Sequence, residues 1–116
     1  MDARRPVRRM VLNDYLLPTE NVRLASDDEV EYGEKKYRII ITDKRFILYA
    51  RRGAVFKSDD VVSERLQAIH GFKYSEKGTV FRKATISIIT NSKMEIRGSP
   101  ERMKPLFHTL QSTIGS

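Results

Sequence analysis

A chain of 116 residues suits one compact domain with one hydrophobic core. It has no cysteine, which excludes disulfides and thiolate chemistry, and no apolar run approaches the ~18 residues that span a bilayer. The net charge is +7, of which Arg4, Arg5, Arg8 and Arg9 against Asp2 supply +3 within the first ten residues.

No apolar stretch follows those arginines, so no signal peptide is expected and a cytoplasmic protein is. Residues 1–10 read as a flexible basic arm, and 11–116 as the domain. An arm of this kind suits contact with nucleic acid or anionic lipid.

Val11, Leu12, Tyr15 and Leu16 have helical spacing, and Pro18 ends the stretch, so a short helix is predicted over 10–17. A strand is expected at about 20–26. An acidic loop follows, with five carboxylates between Asp27 and Glu34. The next signal is stronger. "KYRIIIT" (36–42) and "RFILYAR" (45–51) are rich in β-branched and aromatic residues, with Asp43-Lys44 between them. That predicts an antiparallel hairpin. Tyr37, Ile39 and Ile41 share one face and Ile40 lies on the other. The second strand is apolar on both faces, so Ile40, Ile47 and Tyr49 are candidates for an outer interaction face. Residues 11–17 or a second subunit would cover it.

Residues 51–60 read as a loop, or a loop with a short extension, and 61–66 as a strand. Further strands are predicted at 69–76, 83–90 and 93–97, with turns at 76–78 and at Asn91-Ser92. Ala84, Ile86 and Ile88 point one way, and Met94 and Ile96 face inward. The period then changes. Ser99, Pro100 and Glu101 make a helix start. Met103, Leu106, Phe107, Leu110 and Ile114 form one apolar stripe. Pro105 removes an interior hydrogen bond, so a kink or a restart is expected there.

No catalytic constellation emerges. His70 and His108 have no second ligand at metal spacing. No G-x-S-x-G elbow, P-loop or G-x-G-x-x-G occurs. The carboxylates at 27–34 lack the pattern of a calcium loop. No cofactor or metal is implied. Binding is better supported. Lys35, Lys36 and Arg38, then Arg51, Arg52 and Lys57, are clustered cations suited to phosphate or carboxylate. Phe56 is an apolar residue inside the basic loop "RRGAVFK", as in loops that dip into anionic membranes.

Four motifs carry a family resemblance: "LLPTE" (16–20), "IITDKRFIL" (40–48), "DVVSERLQAIHGFKY" (60–74) and "GSPERMKPLF" (98–107). Over residues 12–114 they resemble the prokaryotic pleckstrin-homology-like domains, close to GRAM domains. The resemblance implies a mainly β fold: a seven-stranded, bent antiparallel β-sandwich or partly open barrel, capped by a C-terminal α-helix. It implies a non-enzymatic module that binds phosphoinositides or proteins, some members self-associating. In phosphoinositide-binding members the ligand mouth lies among the loops after strands one, three and six. Their basic pattern is met here only by Lys36-Tyr37-Arg38 in its second half, with Arg23 upstream and five carboxylates between. Those carboxylates repel a phosphorylated headgroup. The expected function is therefore protein binding or self-association. Anionic lipid is the alternative and nucleic acid a lesser one. The same resemblance puts the Asp43-Lys44 turn at the end away from the mouth, where its charges either keep a hairpin tip soluble or let Arg45 pair with a nearby carboxylate.

Overall fold

The computed structural model describes residues 15–52 and 58–114, with side chains left undescribed at 51, 52 and 58. The proposed arm at 1–10 and most of the predicted helix at 10–17 lie outside the described residues.

Seven antiparallel strands form one sheet: β1 (Val22–Tyr32), β2 (Lys35–Thr42), β3 (Arg45–Arg52), β4 (Ser58–Arg65), β5 (Gly71–Lys77), β6 (Lys83–Ile89) and β7 (Lys93–Gly98). A 3-10 turn at Leu66–Ala68 links β4 to β5, and helix α1 (Pro100–Ile114) ends the fold. The strand order is β4-β3-β2-β1-β7-β6-β5, so β4 and β5 are open edges. The bend brings both halves around one core. Ile39 and Ile41 of β2 and Phe46 and Leu48 of β3 share a cluster with Ile86 and Ile88 of β6 and Ile96 of β7. Helix α1 seals it with Met103 and Leu110, both fully buried, while Leu106, Phe107 and Ile114 pack alongside. The predicted stripe is the stripe used.

Two expected loops are partly strand. The acidic run at 27–34 belongs largely to β1, which reaches Tyr32. Here three residues of β1, Ser26 to Asp28, run opposite one of β2, Ile39, since Ala25 faces Ile40 and Glu29 faces Arg38. The irregularity bends the strand. The Ser26 hydroxyl accepts from Asp28 N–H at 3.1 Å and closes it locally. Only Val30 of this stretch is buried, so the acidic residues pointed to solvent and masked the strand. The turn itself is Gly33-Glu34. Gly33 at φ +65° supplies the left-handed conformation that a tight hairpin needs at its first position. Likewise β4 begins at Ser58, not at 61, and pairs Asp59 with Arg51 and Asp60 with Ala50. As an edge strand it has only one hydrogen-bonded neighbour, and polar residues suit that position.

Helix α1 runs through Pro105 without a break in assignment. The carbonyl that loses its partner is that of Glu101, and both residues are exposed, where water can serve it. The Ser99 carbonyl accepts from Met103 N–H at 2.9 Å and opens the helix.

Candidate functional site

The hairpin tip at Thr42–Arg45 is a structural knot. The Thr42 hydroxyl accepts the N–H groups of Lys44 (3.0 Å) and Arg45 (2.9 Å) and donates to Glu20 Oε2 (2.5 Å). Neither Asp43 nor Lys44 has positive φ, so the turn is not of the primed type. The Glu20 side chain is fully buried. It also accepts from Arg45 and from Leu17 N–H, so the "LLPTE" and "TDKR" motifs close on each other. The Arg45 guanidinium, the Thr42 hydroxyl and the Leu17 amide hold the Glu20 carboxyl down at about 2, against the cost of burial.

The candidate binding surface lies on the far half of β1. Across the sheet, Glu29 stands opposite Arg38, and Glu31 stands opposite Lys36 on one side and Arg97 on the other. Lys83 reaches Glu31 Oε1 at 2.5 Å. Chiefly through that hydrogen bond, and then through its field and those of Arg97 and Lys36, Glu31 is held below its ordinary range. Arg102 donates to the Glu29 carbonyl at 2.8 Å and Arg97 to the Gly33 carbonyl at 3.2 Å. Together these residues line a cleft of about 510 Å³ between the bent part of β1 and the start of α1. Its walls alternate carboxylates and cations, so it offers no single-sign pocket. A surface of this kind is electrostatically complementary to one that carries both charges.

The predicted site residues divide. Lys36 and Arg38 line this cleft. Lys35 is outside it, 3.7 Å from Asp60. Arg51 and Arg52 close β3 opposite Asp59 and Ser58, but their side chains lie outside the described residues, as do Phe56 and Lys57 entirely. Ile40 and Ile47 are 5% and 1% exposed, so they do not present an open apolar face. Tyr49 is half-buried under Tyr15, with ring centroids 6.0 Å apart, and Tyr15 donates to Asp59 at 2.6 Å. Part of that face is thus covered by the chain's own lead-in segment.

One feature went unread in the sequence. Val80 and Phe81 are 81% and 91% exposed on the β5–β6 turn, above a cleft of about 860 Å³. Their setting, "GTVFRK", has the apolar-then-basic composition noted at Phe56. Among the described residues, no group of three His, Asp or Glu side chains could hold a metal, and His70 and His108 are exposed. No described helix is long and apolar enough to cross a membrane.

No family model and no curated protein matches the sequence. Among solved structures, a pleckstrin homology domain from Shewanella amazonensis SB2B is similar. The TM-score is 0.69 at 18% identity, covering 95% of this chain and 97% of that one. At that identity the likeness concerns the fold. Together with the seven-stranded open antiparallel sheet and its C-terminal helix, it shows that this chain has the pleckstrin-homology-like fold.

Proposed function

We propose that this chain is a non-catalytic binding and scaffolding module whose charged cleft takes a polypeptide surface, and that a second copy of the chain is a partner of matching charge. The observation that carries the reading is the register of β1 against β2 and β7. It sets Glu29 against Arg38, and Glu31 between Lys36 and Arg97. A phosphorylated headgroup entering here would meet a carboxylate beside each of these cations. A surface carrying both signs suits a two-fold interface, where the same patch must complement itself. The lipid alternative built on Lys36 and Arg38 is weakened by the same pairing.

Sedimentation of the intact chain across concentrations tests this. The expected result is a mass that rises with concentration and falls as salt is added. Arg38→Glu and Glu29→Arg should each weaken association, and the two together should restore much of it. A chain that stays monomeric throughout and binds soluble inositol polyphosphate saturably would overturn the reading.

A further inference from the structure

The β5–β6 turn is built to display two apolar side chains. Val80 and Phe81 are far more exposed than any other large apolar residue among those described, where Leu17 comes next at 47%. The loop that carries them is pre-shaped. Gly78 has φ +102°, and a Cβ there would stand 2.5 Å from the Phe81 carbonyl oxygen, so the chain folds back closely over that glycine. Both feet of the loop are tied. Glu76 at the end of β5 pairs with Arg82 at the other foot, takes Lys104 of α1 at 3.3 Å, and accepts the Tyr74 hydroxyl at 2.7 Å. The exposure of the tip is therefore held in place by specific contacts.

Cations surround the tip. Lys77 and Arg82 flank it, Lys83 starts β6, and Lys104 stands across the cleft on α1. Arg82, Lys83 and Lys104 pair with Glu76 or Glu31, yet their side chains remain 54%, 58% and 59% exposed. Exposed ion pairs of this kind are weak, so an outside phosphate can replace the carboxylate.

We infer that this loop enters the interface of an anionic lipid bilayer, with Val80 and Phe81 in the acyl boundary and Lys77, Arg82, Lys83 and Lys104 among the phosphates. Two observations favour lipid over a protein partner. Both side chains protrude almost completely, so a protein would need a socket shaped around them, whereas a fluid apolar layer needs none. Arg82, Lys83 and Lys104 line the cleft beside the tip against one carboxylate there, Glu101, and headgroups lie at this level when a short apolar wedge is inserted. Neither part suffices alone: two apolar side chains give weak partitioning, and a few exposed cations give weak attraction, but both together give useful binding. The surface uses neither Lys36 nor Arg38, and of its four cations only Lys83 also lines the neighbouring cleft.

The chain contains no tryptophan, so Phe81→Trp introduces a single fluorescent reporter at the tip. The intact chain with this change would be titrated with phosphatidylcholine vesicles, and with vesicles holding about 30% phosphatidylserine, a PS-rich surface. The expected result is a blue shift, and quenching by brominated acyl chains, on the anionic vesicles. In co-sedimentation without the reporter, Val80→Ser with Phe81→Ser should lower the partition coefficient roughly tenfold or more. It should leave the circular dichroism spectrum unchanged, since neither side chain is packed. Lys77→Glu with Lys104→Glu should remove the preference for anionic vesicles. The inference is overturned if the reporter ignores both vesicles, or if the double serine variant binds as well as the parent. It is also overturned if that variant abolishes concentration-dependent self-association while the parent ignores lipid, because a second copy would then be what covers the tip.

Discussion

The Glu20 carboxylate and the Arg45 guanidinium meet at two points, Nε to Oε2 at 2.9 Å and Nη2 to Oε1 at 2.8 Å. The pair bolts the lead-in segment to the β2–β3 hairpin. Arg45 also donates to the Tyr15 carbonyl at 2.5 Å, and Thr42 and Leu17 fill the remaining acceptor sites of Glu20. Glu20 titrates at about 2 in the folded chain against 4.5 for an ordinary glutamate. A depressed folded value means that stability is present above pH 4.5 and is lost as pH falls toward 2. The full effect is on the order of 3 kcal/mol. Acid denaturation followed by circular dichroism should show this loss. Glu20→Gln should flatten the acid limb and cost about 2–4 kcal/mol at neutral pH, because Arg45 is left without its counter-charge.

Ile40 and Ile47 separate folding from association. A charge placed on an open interaction face would reduce association and leave stability alone. At positions 5% and 1% exposed, it must be buried. Ile47→Asp should therefore cost at least ~3 kcal/mol in urea denaturation, with or without any effect on self-association.

Gly78 is required by its backbone. Gly78→Ala puts a side chain into a conformation that L-residues avoid, against the Phe81 carbonyl. The loop must rearrange, at a cost of roughly 1–3 kcal/mol. Hydrogen exchange should show faster exchange confined to residues 77–83, with β2 and β3 unaffected.

Tyr74 gives an alkaline signal. Burial, followed by its hydrogen bond to the Glu76 carboxylate, raises the phenol to about 12 from 10. Phe107 stacks on it with ring centroids 5.3 Å apart. A raised folded value means that stability is present below pH 10 and is lost as pH climbs through about 12. Ultraviolet titration should show a late-ionising phenol that Tyr74→Phe removes. The same variant should lessen the alkaline loss of stability.

Elements with two-residue alternation around β-branched side chains were legible in the sequence. The β2–β3 hairpin, the inward Ala84, Ile86 and Ile88 of β6, and the α1 stripe all stand where the pattern puts them. The obscured parts have physical reasons. The end of β1 exposes Asp27, Asp28 and Glu29 on a bent stretch, so no apolar alternation marks it. The start of β4 lies at an edge and needs no second buried face. The covering of Ile40 and Ile47 is a tertiary fact, invisible to local pattern. So is the bond between Glu20 and Arg45, although a carboxylate partner for Arg45 was foreseeable. Lys36 and Arg38 could be found as cations, but their opposing carboxylates depend on a register that only the folded sheet reveals. Val80 and Phe81 precede two cations in "GTVFRK", the same composition as around Phe56 in "RRGAVFK". The turn was expected to end at Gly78, which hid them.

The strand order has a kinetic consequence. In β4-β3-β2-β1 and in β7-β6-β5, every hydrogen-bonded neighbour is also a sequence neighbour. The β1–β7 seam alone joins strands distant in the chain, through Glu31 with Arg97 and Tyr32 with Ile96. Local pairing is fast because little loop entropy opposes it, and the long closure comes later. Two meanders should therefore form first, meeting at β1 and β7, with α1 docking on the β5–β7 meander. A chain assembled this way can be cut at its hinge. Severing the 3-10 link at Leu66–Ala68 should leave two fragments, each ordered in part, that rebuild one domain when mixed.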